Sequence, residues 1–142
     1  MTKKVLLVDD EKDFLDTLSE RLKTRGLDVS SSAEPAEALE IAMNDGYDVI
    51  VVDLKMPGMN GIEFLRTIKD ARPEMQVILL TGHATVDKGI EAVKLGALDV
   101  LEKPANFETL MDRIEKASAK KLVLLEKKDQ DKIQDIITKH GW

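Results

Sequence analysis

The chain has 142 residues, of which 43% are hydrophobic, 34% are charged and 4% are aromatic, and its formal net charge at pH 7 is -6. This length suits one compact domain with an aliphatic core, and the acidic balance argues against direct nucleic-acid binding, which depends on clustered lysine and arginine. The absence of cysteine excludes disulfides and thiolate chemistry. Because no apolar run reaches the length of a membrane span and the first ten residues are too acidic for a signal peptide, we expect a soluble cytoplasmic protein.

Short apolar runs alternate with amphipathic stretches along the chain. Strands are predicted at residues 5–8, 27–31, 49–53, 77–80 and 99–102. Between them, hydrophobic residues recur at helical spacing, and these helices end near Gly26, Gly46, Pro73 and Gly96. A last helix opens at Phe107. The alternation predicts an α/β fold with a doubly wound, five-stranded parallel sheet, right-handed crossovers and helices on both faces.

Polar residues stand at the carboxyl ends of four predicted strands. They are Asp9, Asp10, Asp53, Thr81 and Lys103. Ligands of open parallel sheets bind beyond these ends, near the switch point in strand order, so these five side chains should converge on one edge. Three carboxylates packed together repel one another unless protons or a cation relieve them. A hard divalent ion such as Mg²⁺ accepts oxygen ligands of this kind.

A carboxylate at this edge can also attack phosphorus and form an acyl phosphate. Phosphoryl transfer depends mainly on positioning and charge neutralisation, so we assign Asp53, at the end of the predicted central strand, as the nucleophile. Asp9 and Asp10 then hold the metal, Lys103 adds a positive charge and Thr81 donates a hydrogen bond. Each residue also has an ordinary alternative role, as a helix cap, a turn residue or a solvated lysine.

Four motifs occur in a fixed order, namely LLVDDE, VVDLKMPGMNG, LLTGHA and GALDVLEKP. With these motifs the chain, from about Lys3 to about Lys120, resembles the receiver domain of bacterial two-component response regulators, especially the receivers of enhancer-binding transcription activators. The resemblance implies the flavodoxin-like strand order 2-1-3-4-5. It also implies phosphorelay signalling, in which a sensor histidine kinase or phosphotransfer protein donates a phosphoryl group in a Mg²⁺-dependent reaction. A conformational change at the helix 4/strand 5 surface then signals to a downstream protein target.

The resemblance assigns a role to each of the five edge residues. It implies that Asp53 is the phosphoacceptor and also a metal ligand. Asp9 and Asp10 match the acidic metal-binding pair of the family. Thr81 matches the switch hydroxyl, and Lys103 matches the lysine that binds the phosphoryl group.

Four further positions acquire roles in the same way. The carbonyl of Lys55 is implied as a metal ligand, the bond before Pro104 is implied to be cis, and the side chains of Lys55 and His83 are implied to tune dephosphorylation. Val100 stands where most receivers carry tyrosine or phenylalanine, so the aromatic partner of the Thr81 switch is missing. His83 is also consistent with an exposed loop histidine, and Val100 with simple strand packing.

We expect a receiver domain over residues 1–120 and a helical extension over residues 121–142, without a separate output domain. The apolar positions of this extension, at the spacing of an amphipathic helix, are Leu122, Leu125, Ile133, Ile136 and Ile137. The extension folds back on the domain, pairs with a second copy or docks on a partner, and the alternative is a frayed, solvated tail. Two surfaces are therefore candidates for a homodimer, the helix 4/strand 5 face and the C-terminal helix.

An enzyme is the second class of function that the residues allow. It would be a Mg²⁺-dependent phosphohydrolase that forms an aspartyl phosphate with external substrates. Such hydrolases typically carry a second aspartate two residues after the nucleophile, where this chain has Lys55, and they use a cap insertion for which this chain has no segment. A receiver-like adaptor that is never phosphorylated is a third interpretation, which the complete set of edge residues disfavours and Val100 keeps open. We therefore expect a signalling domain and not an enzyme.

Overall fold

A computed structural model of the chain describes residues 2–54, 58–82, 86–103 and 106–140. Over these residues five strands alternate with five helices. In chain order they are β1 (Lys4–Val8), α1 (Lys12–Thr24), β2 (Asp28–Ser32), α2 (Pro35–Asn44), β3 (Val49–Asp53), α3 (Gly61–Ala71), β4 (Gln76–Thr81), α4 (Val86–Lys94), β5 (Asp99–Glu102) and α5 (Phe107–His140). The predicted alternation is confirmed, and no strand boundary differs from its prediction by more than one residue.

The five strands form one parallel sheet in the order β2-β1-β3-β4-β5. This order and the helices on both faces confirm the predicted doubly wound fold. The chain passes from β1 outward to β2 and then returns to place β3 on the other side of β1. The carboxyl ends of β1 and β3 therefore flank the switch point, where open α/β sheets form their ligand sites.

The sheet separates two aliphatic clusters. On one face, α1 and α5 cover the sheet with buried side chains that include Leu15, Leu22, Leu110 and Ile114. On the opposite face, α2, α3 and α4 cover a second cluster that includes Phe64. Every residue of β3 and β4 is buried, because these central strands send side chains into both clusters, and this explains why their sequences lack polar alternation.

The start of α3 lies directly against the end of β3. The amide of Gly61 donates a hydrogen bond to the carbonyl of Leu54 over 2.7 Å, and the Asn60 side chain caps the helix by accepting from the amide of Glu63 over 2.9 Å. A β-carbon at position 61 would lie 2.8 Å from both the Asp53 carbonyl oxygen and the Leu54 α-carbon. Since backbone atoms fill this space, only glycine lets the helix approach so closely.

Helix α5 extends well past the sheet over its 34 residues. Its first turns pack against the sheet through Leu110 and Ile114, and the Lys121 ammonium then donates a hydrogen bond to the carbonyl of Tyr47 over 2.6 Å. After Lys121 most of the described side chains are exposed. Among the described helices, none combines the length and the apolar character that a membrane crossing requires.

Replacing Gly61 with alanine is expected to lower the free energy of unfolding by about 1–3 kcal/mol, because the added methyl group displaces backbone. Gly46→Ala is the matched control, since no heavy atom beyond its chain neighbours lies within 4 Å of its β-carbon position. Both variants lose the same glycine freedom in the unfolded chain. Urea unfolding measures the difference, and equal stability of the two variants would contradict the close approach of α3 to β3.

Candidate functional site

The predicted edge residues lie together around one lysine. The Lys103 Nζ lies 2.6 Å from the Oδ2 of Asp9 and 3.5 Å from the Oδ2 of Asp53. One carboxylate oxygen from each of Asp9, Asp10, Glu11 and Asp53 lies within 4.8 Å of all the others. The fold therefore brings four carboxylates and one ammonium group to the carboxyl edge of the sheet.

Neighbouring strands place the two buried carboxylates side by side. Asp53 is the last residue of β3, and Asp9 directly follows β1, which pairs with β3. The Asp9 amide donates to the carbonyl of Ser32 over 3.2 Å, and the Asp9 Oδ1 accepts from the amide of Glu11 over 2.9 Å. Asp9 Oδ1 therefore holds the turn before α1 but does not cap the helix, whose N-cap residue is Glu11 and which has no side-chain cap, while the second oxygen, Oδ2, contacts Lys103.

Burial makes charge compensation necessary at this edge. Asp9 is 2% exposed and Asp53 is 7% exposed, and carboxylates this deeply buried are costly unless a cation or hydrogen-bond donors satisfy them. Lys103 contributes one positive charge, whereas Asp10 and Glu11 add two more exposed carboxylates. The cluster stays net negative, and its hard oxygen donors fit a divalent cation that prefers oxygen ligands.

Two opposing influences act on the pKa of Lys103. Burial is the largest single influence and lowers the pKa, whereas the hydrogen bond and charge of Asp9, together with the charges of Asp53 and Glu11, raise it. Their sum raises the pKa of Lys103 above its ordinary value, so the side chain stays an ammonium at neutral pH. The centre of the Phe14 ring lies 4.4 Å from the Nζ, a distance at which a cation–π contact adds to this stabilisation.

Thr81 lies at the carboxyl edge of the sheet, and Val100 lies on the same side of the sheet but further from that edge. Thr81 is the last residue of β4 and is 1% exposed, and its carbonyl accepts a hydrogen bond from the Lys103 amide over 2.7 Å. Val100 pairs with Leu79, two residues before Thr81, and packs against the cluster that α2, α3 and α4 cover. Val100 thus serves in strand packing, and its part in a switch stays a prediction.

Glu11 and Phe14 contact Lys103, although neither is predicted as a site residue from the sequence. Glu11 lies 3.4 Å from the lysine Nζ and is 65% exposed, and its only sequence signal is its position directly after the acidic pair. Phe14 matches the apolar spacing of α1, so the pattern predicts a core position and cannot reveal the contact with the ammonium.

Three predicted positions lie outside the residues that the structure describes, namely Lys55, His83 and Pro104.

Comparisons with known proteins identify the family. The model of the response regulator receiver domain matches residues 5–115. The C4-dicarboxylate transport transcriptional regulatory protein DctD of Rhizobium meliloti (strain 1021) is 32% identical over 122 residues, covering 86% of this chain and 26% of DctD. The transcriptional regulatory protein ZraR of Escherichia coli (strain K12) is 35% identical over 115 residues, covering 81% of this chain and 26% of ZraR. This chain therefore spans about a quarter of the length of these relatives.

Solved structures agree with this match. The crystal structure of a response regulator receiver domain protein from Clostridium thermocellum has a TM-score of 0.82 and 36% identity, and the match covers 86% of this chain and 98% of that one. The solution structure of the beryllofluoride-activated NtrC4 receiver domain dimer has a TM-score of 0.80 and 35% identity, with coverage of 84% and 99%. All five predicted edge residues fall within the segment that the family model matches. The chain belongs to the response regulator receiver domain family of two-component systems.

Proposed function

We propose that this chain accepts a phosphoryl group on Asp53 and thereby carries a signal in a two-component phosphorelay. The observation that most supports this proposal is the position of the Lys103 ammonium, 2.6 Å from Asp9 and 3.5 Å from Asp53. Phosphoryl transfer to a carboxylate needs a nucleophile, a nearby positive charge and oxygen ligands for a metal ion. The carboxyl edge of this sheet contains groups of all three kinds.

In the proposed reaction, a carboxylate oxygen of Asp53 attacks the phosphorus atom of a phosphohistidine on a sensor histidine kinase or phosphotransfer protein. An O–P bond forms while the N–P bond of the donor breaks. The electron pair of the N–P bond stays on the imidazole nitrogen, and that nitrogen then takes up a proton from water. Asp53 becomes an acyl phosphate, whose charge of nearly two negative units is concentrated at the edge of the sheet.

The metal ion in this proposal is Mg²⁺, held by the carboxylates of Asp9, Asp10 and Asp53 and by the carbonyl of Lys55. The ion supplies positive charge to the oxygens of the transferring phosphoryl group. Support for the carboxylate ligands comes from their clustering, whereas the part of Lys55 rests on the family resemblance alone. Within the same proposal, Lys55 and His83 tune how fast the acyl phosphate hydrolyses.

The chain's own residues then convert the new charge into a change of shape. We propose that Lys103 moves its ammonium from Asp9 toward the phosphoryl oxygens and that the Thr81 hydroxyl donates to them. The lysine amide already bonds the Thr81 carbonyl, so a movement at the lysine is coupled to the ends of β4 and β5. The output is a population shift at the helix 4/strand 5 surface, where Val100 stands in the aromatic position. Two apolar side chains of α4, Ile90 and Val93, are 49% and 57% exposed and are available to a downstream protein.

Asp53→Asn tests the proposed acceptor. Incubation with acetyl phosphate and Mg²⁺ is expected to add the mass of one phosphoryl group to the wild-type chain and none to this variant, because an amide oxygen is too weak a nucleophile. Asp70→Asn, an exposed substitution on α3, is the matched control and keeps the gain. Intact-mass spectrometry measures all three proteins, and a gain by Asp53→Asn equal to wild type would refute the assignment. A wild-type chain that accepts nothing from acetyl phosphate or from a panel of phosphorylated histidine kinases would favour the adaptor interpretation.

Lys103→Met tests the competition between lysine and metal for Asp9. Removing a positive charge a few ångströms from the proposed metal ion is expected to tighten Mg²⁺ binding by at least about fivefold. Thermal unfolding over a range of Mg²⁺ concentrations yields the affinity, because a ligand that binds only the folded chain stabilises it by mass action. Lys116→Met is the control, since Lys116 pairs with Asp112 at an exposed site on α5 and its loss leaves Mg²⁺ affinity unchanged. Equal affinities in the two variants would show that Lys103 and the metal do not compete.

A further inference from the structure

A cavity of about 150 Å³ opens between α1 and α5. Helix α5 contributes Phe107 and Leu110 to one wall, and Leu80 of β4 forms the floor. Helix α1 packs on β1 and β2 whereas α5 packs on β3 and β4, so the space lies between two helices that rest on different strands. The wall on the α1 side follows one side of that helix, because its positions recur at intervals of three and four residues. They are Phe14, Thr17, Leu18 and Arg21.

The side chains that form this cavity are apolar except for Thr17 and Arg21. Phe14, Leu18 and Phe107 are half-buried and pack against the cluster that α1 and α5 cover. Thr17 and Arg21 are exposed, so they stand at the mouth. Protein interiors leave few voids larger than one water molecule, and an apolar cavity of about 150 Å³ admits a ring of the size of benzene. A compact apolar group of that size therefore fits between the two helices.

Arg21 places a positive charge at the mouth of the cavity. Its guanidinium carbon lies 4.1 Å from the centre of the Phe107 ring, a cation–π contact in which the planar group uses its face and keeps its N–H donors for other partners. The neighbouring Arg25 donates to Glu108 over 2.8 Å, whereas within the described part of the chain no carboxylate forms an ion pair with Arg21. A guanidinium fork of this kind matches the two oxygens of a carboxylate. The mouth therefore favours an anionic head group.

We propose that this cavity binds a small monocarboxylate with a compact apolar body. The carboxylate accepts hydrogen bonds from the Arg21 guanidinium, and Thr17, one turn earlier on α1, adds a hydroxyl donor. The apolar body lies between Leu18 and the Phe107 ring. Apolar walls with a few polar groups that fix orientation are the usual composition of a small-molecule site.

The cavity is close to the carboxyl edge of the sheet but distinct from it. Phe14 belongs to both places, because its ring lines the cavity and its centre lies 4.4 Å from the Lys103 Nζ. A bound carboxylate would therefore contact a ring that also contacts Lys103. The binding itself needs no phosphoryl group and no metal ion, so the proposal stands or falls independently of the role of Asp53.

Methyl NMR spectra recorded during a titration with benzoate test the location of the site. The signals of Leu18, Leu80 and Leu110 are expected to shift together and to saturate at about millimolar concentration. Leu6, which is buried on the opposite face of the sheet, is the internal control and should keep its signal unchanged. Benzoate that leaves the three lining leucines unshifted, or that shifts leucines on both faces without saturation, overturns the proposal.

Arg21→Gln tests the anionic head group. This variant should bind benzoate at least about tenfold more weakly, because a charge-assisted hydrogen bond is lost, while its affinity for the neutral probe benzyl alcohol stays within about twofold of wild type. Arg66→Gln, the same change at an exposed position on α3, is the matched control and should keep the wild-type affinity for both probes. Equal benzoate affinities of the two variants would refute the part assigned to Arg21.

Leu18→Trp tests the apolar space. The larger ring occupies the cavity, so both benzoate and benzyl alcohol should bind at least about tenfold more weakly. Urea unfolding verifies that the variant is folded, which is expected because Leu18 is only half-buried. A folded Leu18→Trp chain that binds both probes as tightly as wild type would place the site elsewhere and overturn the proposal.

Discussion

The contact between Lys103 and the buried carboxylates of Asp9 and Asp53 is the interaction on which this site depends. Three strands meet there, and each delivers a charged group that is costly to bury alone. The ammonium offsets only part of the negative charge, because Asp10 and Glu11 lie in the same cluster. This residual charge is what the proposed metal ion would offset, and in the proposed switch Lys103 exchanges one anionic partner for another. The same electrostatic imbalance underlies both the proposed metal site and the proposed switch.

The parallel sheet makes this concentration of charge possible. Parallel strands align their carboxyl ends at one edge, and the switch point between β1 and β3 leaves that edge uncovered by crossover connections. The central strands are buried over their whole length, so they anchor the edge residues to both clusters of the core. Gly61 adds a second constraint, since the start of α3 approaches the backbone of Asp53 closely enough to exclude a side chain. The position of the proposed nucleophile is therefore set by packing that involves both the strand before it and the helix after it.

Helix α5 has two parts that differ in burial and in residue pattern. Its first turns belong to the core, where Leu110 and Ile114 pack against the sheet. Its last turns lie in solvent, and their apolar residues are separated by charges. A core-facing helix needs one continuous apolar side, which Leu110, Ile114 and Ala117 provide in the first turns of α5. After Lys121, which bonds the carbonyl of Tyr47, the helix still borders the domain at Leu124 and Lys128, which line a cavity with Pro73 and Glu74.

The sequence by itself determined the elements and the residues at the carboxyl edge. Apolar runs of four to six residues bounded by turns specify buried strands, and in a parallel sheet those strands deliver Asp9, Asp53 and Lys103 to one edge whatever the details of packing. Only the tertiary structure decided which groups touch. The short contact of Lys103 is with Asp9, 94 positions away in the chain, and the Phe14 ring beside the ammonium looks like an ordinary core position in the sequence. Periodicity reports on local structure, whereas distances between side chains from separate elements depend on how helices and sheet pack together.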